Sequence, residues 1–418
     1  MGMKPGFKQT DMGMLPDDWN LIPLRDILST PPKYGINAPA VDFDDTLPRY
    51  IRITDISDDG RFIQDKPVSV NHALAENYRV KQNDILLART GASVGKSYIH
   101  KDGKRSPVYA GFLIKVSVNA SKASADYVAN FFRTGFYWSW VRITSQRSGQ
   151  PGINGQEYGS LFLPLPPLPE QQAIAAALSD VDALIAAQEA LLAKKRAIKQ
   201  GAMQDLLTGR KRLPGFEGEW EEKRLGDIAF IDQDNLSAGT NRDFTFYYVS
   251  LEDVERGKLL STSEISFGNS SPRARRVVQA SDILFSTVRP NLQSHLLWDY
   301  TLSPIIASTG FSVIRCHKCY VPHFVYQSIY SKSVSNQIDA LLTGSNYPAI
   351  SSNEVKKLRL LIPPYPEQQA IAVILSDMDA EIEALEAQVR KTQVLKQGMM
   401  QELLTGRIRL VPVPEEVA

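Results

Sequence analysis

A stretch of 45 residues occurs twice in this chain, and it limits what the rest can fold into. Residues 169–213 run from PEQQAIA to LLTGRKRL, and residues 366–410 from PEQQAIA to LLTGRIRL. At an offset of 197, 29 of the 45 positions are identical. Each copy opens like a helix, with a proline followed by Glu170 or Glu367. A carboxylate there suits the positive end of the helix dipole. Each closes at a glycine, Gly209 or Gly406, which predicts a left-handed cap. An apolar stripe at alternating spacings of four and three lies between: Ile174, Leu178, Val181, Ile185, Gln188, Leu192 and Lys195, then Ile371, Leu375, Met378, Ile382, Leu385, Val389 and Thr392. That period is a coiled-coil seam, weakening at Lys195 and Thr392. Two unrelated amphipathic helices, each packed on its own domain, would share no more than the stripe. Here Gln171, Gln172, Asp180, Asp182, Lys199, Gln200 and Gly201 recur as well. The expectation is that the two helices pair with each other.

The remaining chain echoes itself more faintly. Trp19, Leu24, Asp26 and Ile27 match Trp220, Leu225, Asp227 and Ile228, and Asp84-Ile85-Leu86 matches Asp282-Ile283-Leu284. Gly111-Phe112 matches Gly310-Phe311, and Pro151 and Ile153 match Pro348 and Ile350. The register is nearly constant, so the chain reads as a tandem domain duplication. The expected parts are a strap at residues 1–14, a domain at 15–168, a helix at 169–213, a domain at 214–365, a helix at 366–410 and a tail at 411–418. Short strands are expected near 48–56, 61–70, 83–90, 96–100 and 108–118, then a helix near 124–143. The second domain repeats this near 246–254, 258–266, 281–288, 293–298, 308–316 and 321–338. Mixed strands with one or two helices make each domain α+β.

A chain of 418 residues has ample core for two to three domains. No apolar run approaches the roughly 18 residues of a membrane span, and MGMKPGFKQT lacks the apolar centre of a signal peptide. Two cysteines suit a reducing compartment, so a cytoplasmic location is expected. With a net charge of +1, any basic surface has to be local.

Several short motifs fail on their own chemistry. RTGASVGKS at 89–97 is one residue short of a phosphate loop and leads into what reads as a strand rather than a helix. A strand–glycine-turn–strand hairpin is expected instead. Ile362-Pro363-Pro364-Tyr365 approaches the Asn/Asp-Pro-Pro-Tyr motif of adenine methyltransferases, but Ile362 cannot accept from an amino group. Cys316-His317-Lys318-Cys319 has the spacing of half a zinc site with no second pair, so no metal is expected. No nucleophile–His–acid set or carboxylate–Lys nuclease cluster stands out. Basic residues group at Lys101, Lys104 and Arg105 and at Arg273, Arg275 and Arg276. The aromatics Phe131, Phe132, Phe136, Tyr137, Trp138 and Trp140 read as core. Polar loops at Ser148–Gln150 and Ser345–Tyr347 sit at matching positions, and such side chains suit phosphate and base-edge contacts.

Taken together, Lys8-Gln9-Thr10, Pro16-Asp17-Asp18-Trp19, PLPPLPEQQAIA with IPPYPEQQAIA, and KQGAMQDLLTGR with KQGMMQELLTGR resemble the specificity subunit of type I restriction–modification systems over nearly the whole chain. The resemblance implies two target-recognition domains of mixed α/β structure separated by a long antiparallel two-helix coiled coil, with a pseudo-twofold repeat. Each domain would read one half of a bipartite site in double-stranded DNA. Two methyltransferase subunits would dock on the repeated helices, and two restriction subunits would join them. The partners would supply the S-adenosylmethionine, ATP and Mg chemistry, leaving this chain without cofactor or catalytic residue. Candidate DNA contacts are Arg89, Thr90, Ser93, Lys96, Ser97, Ser148 and Gln150 in the first domain. In the second they are Ser286, Arg289, Asn291, Ser345, Asn346 and Tyr347. Candidate docking residues are Glu170, Gln171, Gln172, Lys199, Gln200, Leu207 and Arg210, and their second copies Glu367, Gln368, Gln369, Lys396, Gln397, Leu404 and Arg407. The competing readings are a coiled-coil scaffold with two ligand- or protein-binding domains and no DNA role, and an enzyme with an unrecognised nuclease centre.

Overall fold

The structure, a computed structural model, describes residues 6–63, 65–104, 106–342 and 348–410. It divides into two compact units, Met1–Ala187 with Val389–Ala418, and Gln188–Gln388.

The first unit centres on an antiparallel sheet. Its strands are β1 (Leu28–Tyr34), β2 (Asp84–Ala88), β3 (Ser97–Ile99) and β4 (Leu113–Val118), in the order β1-β4-β2-β3. All five residues of β2 are buried, as a continuous apolar run in a central strand requires. Asp84 closes the turn before it: the carboxylate accepts from Lys81 N at 2.8 Å and Ser117 Oγ at 2.5 Å, and faces Lys115 Nζ at 3.3 Å. Two helices, α1 (Ala125–Phe131) and α2 (Gly135–Thr144), cover one sheet face through Tyr127, Val128, Phe131, Phe132 and Tyr137. The short helix α3 (Gly155–Ser160) follows, then α4 (Leu168–Leu206).

The second unit repeats the plan with β5 (Ala229–Ile231), β6 (Ile283–Ser286), β7 (Leu296–Leu297) and β8 (Phe311–Cys316) in the order β5-β8-β6-β7. Asp282 takes the place of Asp84, accepting from Gln279 N at 2.8 Å and from Arg315 Nη2 at 2.7 Å. Helices α5 (Pro322–Ile329), α6 (Lys332–Leu342), α7 (Ser352–Lys357) and α8 (Tyr365–Leu403) complete it. A second sheet joins Thr245–Val249 in parallel to Ile305–Ser308, with Ser263–Ser266 and Ala274–Val278 outside them.

The helices α4 and α8 each run for 39 residues, about 58 Å at 1.5 Å per residue. Ile174, Leu178, Ile185, Gln188 and Leu192 are buried along one seam, and Ile371, Leu375, Val389 and Thr392 along the other. Within the second unit Arg196 pairs with Glu386 at 2.7 Å, Lys195 with Glu381 at 2.5 Å, and Lys199 with Asp379. The numbering rises along α4 as it falls along α8, so the two run antiparallel. In the first unit Lys396 reaches Asp182 at 2.6 Å, the repeat-equivalent of the Lys199–Asp379 pair. Gly209 (φ 67°) and Gly406 (φ 69°) are left-handed, as expected of the caps. At Gly406 the Arg407 N to Glu402 O bond (3.0 Å) and the Gly406 N to Leu403 O bond (3.3 Å) form a Schellman motif.

Several expectations change: the strand near 48–56 shrinks to Tyr50–Ile51, and the segment near 321–338 is two helices, α5 and α6. Within the segment read as a strap, Phe7–Thr10 pairs with Gly13–Pro16 in a hairpin, because Leu15 and Trp19 bury against the core and pull the backbone down. Among the described residues of 61–70, strand is held only at Val68–Ser69. The helix near 124–143 is two, because Thr134 caps a new start by accepting from Tyr137 N.

Candidate nucleic-acid interface

The loop after β2 in the first unit is zipped to the loop after α2. Gly91 N donates to Pro151 O at 2.9 Å, Ile153 N donates to Arg89 O at 2.9 Å, and Thr90 bridges Gly152. Gly91 is left-handed (φ 70°), and a β-carbon there would lie 2.8 Å from Gln150 Nε2. The sequence-selected residues Arg89, Thr90 and Gln150 are thus brought together, with exposed Ser148 in the same loop as Gln150. The Arg89 guanidinium lies 4.8 Å from the centre of the Tyr34 ring, and Tyr34 OH accepts from Gly155 N at 3.0 Å. Beside this runs an open cavity of about 830 Å³ lined by Arg25, Thr30, Tyr34, Asn154 and Gln156 among others. Nothing in the sequence marks Tyr34 as part of this surface. Arg89 enters it by pairing across the sheet, which spacing cannot show.

The second unit repeats the arrangement. Arg289 N donates to Pro348 O at 2.7 Å, Ile350 N donates to Thr287 O at 2.9 Å, and Val288 bridges Ala349. Arg289 takes the place of Gly91, is left-handed (φ 51°) and is exposed, as is Asn291. The expected residues Ser345, Asn346 and Tyr347 lie outside the described residues.

Not every selected side chain faces out. Ser97 is 6% exposed, and Ser286 is 1% exposed with its hydroxyl on Val288 O at 2.9 Å, so both are framework residues. Ser93 is half-buried. Lys96 is held by Asp58 at 2.7 Å. In the basic patches Lys101 pairs with Asp126 and Arg276 with Asp232 (3.0 Å), whereas Lys104 and Arg273 are exposed and Arg105 lies outside the described residues. Arg275 stacks over Phe267 at 4.9 Å. The glycine-rich stretch is the hairpin expected, with Ser97–Ile99 as a strand. Ile362 is a buried strand residue. Burial pushes the Cys316 thiol up to about 12, while Cys319 is exposed.

The repeated helix residues separate into two groups. Glu170 is fully buried, where Trp19 Nε1 donates to it at 3.1 Å and Arg409 at 2.6 Å. Glu367 is matched by Trp220 Nε1 at 3.1 Å and Arg212 at 2.7 Å. Gln171 accepts from Ser124 N and donates to Pro166 O, both at 2.8 Å; Gln368 does the same with Val321 N at 3.0 Å and Pro363 O at 2.9 Å. Lys199 and Lys396 are engaged between the helices, and Leu207 and Leu404 are 5% and 1% exposed. These eight residues all have partners within the chain: the glutamates and glutamines tie each helix to its domain, the lysines tie helix to helix, and the leucines are buried. The rest are exposed: Gln172, Gln200 and Arg210, and Gln369, Gln397 and Arg407.

Two copies of one sheet-and-helix framework, differing in the residues their paired loops expose, define a protein with two distinct recognition surfaces. The sequence profile of the type I restriction modification DNA specificity domain matches residues 16–194 and again residues 217–395, so the chain belongs to that family. A putative type I restriction enzyme MjaX specificity subunit of Methanocaldococcus jannaschii is 25% identical and covers 97% of each chain. The type I restriction enzyme EcoKI specificity subunit of Escherichia coli is 22% identical over 95% of this chain and 90% of its own. Among solved structures, a type I restriction–modification S subunit from M. genitalium superposes with a TM-score of 0.60 at 12% identity, covering 96% of this chain and 99% of that one. A chain from a type I R-M system solved for its complex assembly and conformational transition gives 0.52 at 15%, covering 94% and 99%. These likenesses establish a shared fold.

Proposed function

We propose that this chain is the non-catalytic specificity subunit of a type I restriction–modification system, each domain reading one half of a bipartite, asymmetric DNA site. The supporting observation is the recurrence of one hydrogen-bonded loop pair in both domains carrying different side chains, half-buried Arg89 and exposed Gln150 in one, exposed Arg289 and Asn291 in the other. A fixed framework with exchanged side chains is what two different base sequences require. Mapping methylated adenines in a genome exposed to this chain and its methyltransferase tests it: the reading requires a two-part motif with a fixed gap. Absence of any sequence preference in DNA binding by the complex would leave the scaffold reading standing.

Arg89→Ala is expected to relax discrimination in one half-site and Arg289→Ala in the other, each by about 1–3 kcal/mol, the worth of a good base contact. Competition binding with duplexes changed one base at a time reads this out. Equal losses in both halves would refute the assignment of one loop pair to each half.

Two methyltransferase subunits dock on the two exposed sets, Gln172, Gln200 and Arg210 with Gln369, Gln397 and Arg407, and two restriction subunits complete the complex. The partners bring S-adenosylmethionine, ATP and Mg. The supporting argument is that these positions repeat without a folding reason: a β-carbon at Gly201 or Gly398 beside them would meet nothing within 4 Å, and Ile198 and Leu395 are 47% and 57% exposed. Changing Gln200 and Gln397 together to glutamate is expected to lower methyltransferase recovery in co-purification while leaving thermal stability unchanged. Full recovery would place the docking surface elsewhere.

A further inference from the structure

In the second domain the loop after β6 turns through two left-handed residues, Arg289 (φ 51°) and Gln293 (φ 56°). The first domain has glycines at the corresponding turns, Gly91 (φ 70°) and Gly95 (φ 90°). Side chains other than glycine, asparagine and aspartate rarely adopt this backbone, and such strain persists only where surrounding structure enforces it. The two loops also rest on different floors. A β-carbon at Gly95 would lie 2.8 Å from Val141, so the first loop sits directly on α2. Beneath the second loop is instead a cavity of about 80 Å³, lined by Asn291, Gln293, His295, Ser335 and Asp339 among others.

His295 forms part of that floor and is 1% exposed. Its ring stacks on Phe285 at 4.2 Å between centroids. Nδ1 accepts from Ser286 N at 3.0 Å, which places the proton of the neutral ring on Nε2. Burial lowers its pKa to about 3, so the ring stays neutral. Nε2 is buried and has no hydrogen-bond partner among the described residues. A buried donor left unmatched is costly, and native proteins meet such groups with ordered water where the space is polar and large enough. This cavity satisfies both conditions.

We propose that the cavity is a binding site for ordered water, and that His295, donating to that water, is a positioning residue that holds the Pro290–Gln293 loop in the shape that reads the second half-site. The inference rests on the assignment of this loop to DNA contact. The loop's floor then contributes to specificity although it touches no base; at the matching place the first domain carries buried Ser97 in place of a histidine.

The test uses the full chain in complex with its methyltransferase, in competition binding against duplexes changed one base at a time. His295→Phe keeps the ring on Phe285 and removes both nitrogens. It is expected to lower discrimination at the second half-site on the order of five- to tenfold, the worth of one hydrogen bond, with the first half-site unchanged. His295→Gln, which restores a donor, is expected to recover most of it. Wild-type discrimination in His295→Phe, with a loss in Arg289→Ala, would overturn the inference and leave the loop assignment intact. Loss in neither variant would overturn both. A uniform loss over all duplexes, or no rescue by glutamine, would make His295 structural only and also overturn it.

Discussion

Replacing Arg409 by alanine is expected to destabilise the first unit by about 3 kcal/mol, because it strands a buried charge. Glu170 is fully buried; Arg409 donates to it at 2.6 Å and to Asp18 at 2.8 and 3.0 Å. Arg409 lies among the last described residues, Asp18 near the beginning and Glu170 in the first turn of α4, so one side chain fastens the last described residues to the first domain. Asp18 adds an acid dependence. Its hydrogen bond to Arg409, chiefly, holds its carboxyl below the ordinary value of 3.8. A lowered folded-state pKa contributes stability above the unfolded value, and that contribution is lost as pH falls through the folded one. Hydrogen exchange should show faster opening in the first unit of the variant and unchanged protection in the second. Arg407→Ala is the control: Arg407 is exposed and pairs with Glu402 at 3.3 Å, so a change within about 0.5 kcal/mol is expected. Equal effects for the two arginines would refute the latch.

Removing one heptad from each long helix, residues 181–187 and 378–384, is expected to shorten the gap in the recognised site while preserving both half-sites. Seven residues rise about 10 Å, close to three base pairs when a turn is about 34 Å. A whole heptad keeps the seam in phase, although these deletions also take out Asp182 and Asp379, the partners of Lys396 and Lys199. Methylation at the original sites should be lost and reappear at sites with the shorter gap. An unchanged motif would end the view that the paired helices set the spacing.

The helical half of the fold was legible because its signals are local and periodic. Seam residues from Ile174 to Leu192 are buried or half-buried where the spacing put them, and Gly209 and Gly406 close their helices as caps. The aromatic cluster read as core is largely that: Phe131, Phe132 and Tyr137 are buried, though Phe136 is 42% exposed. The site was legible only in part. Arg89 and Thr90 are far from Gln150 in sequence, and pairing of the two loops brings them together. The internal bonds of Glu170-Gln171 and Glu367-Gln368 were not legible, because an identity that serves an internal latch and one that serves a partner look the same in a single sequence.

The sequence by itself determined the duplication, the long paired helices, the family and the places where the domains differ, since these rest on identity and period along the chain. Only the tertiary structure decided which repeated residues face inward. Burial and hydrogen bonding depend on what the fold brings near Glu170, Gln171, Glu367 and Gln368: Trp19 and Trp220, Arg409 and Arg212, and the backbone of Ser124 and Val321. Those partners lie tens to hundreds of residues away, beyond the reach of any local pattern.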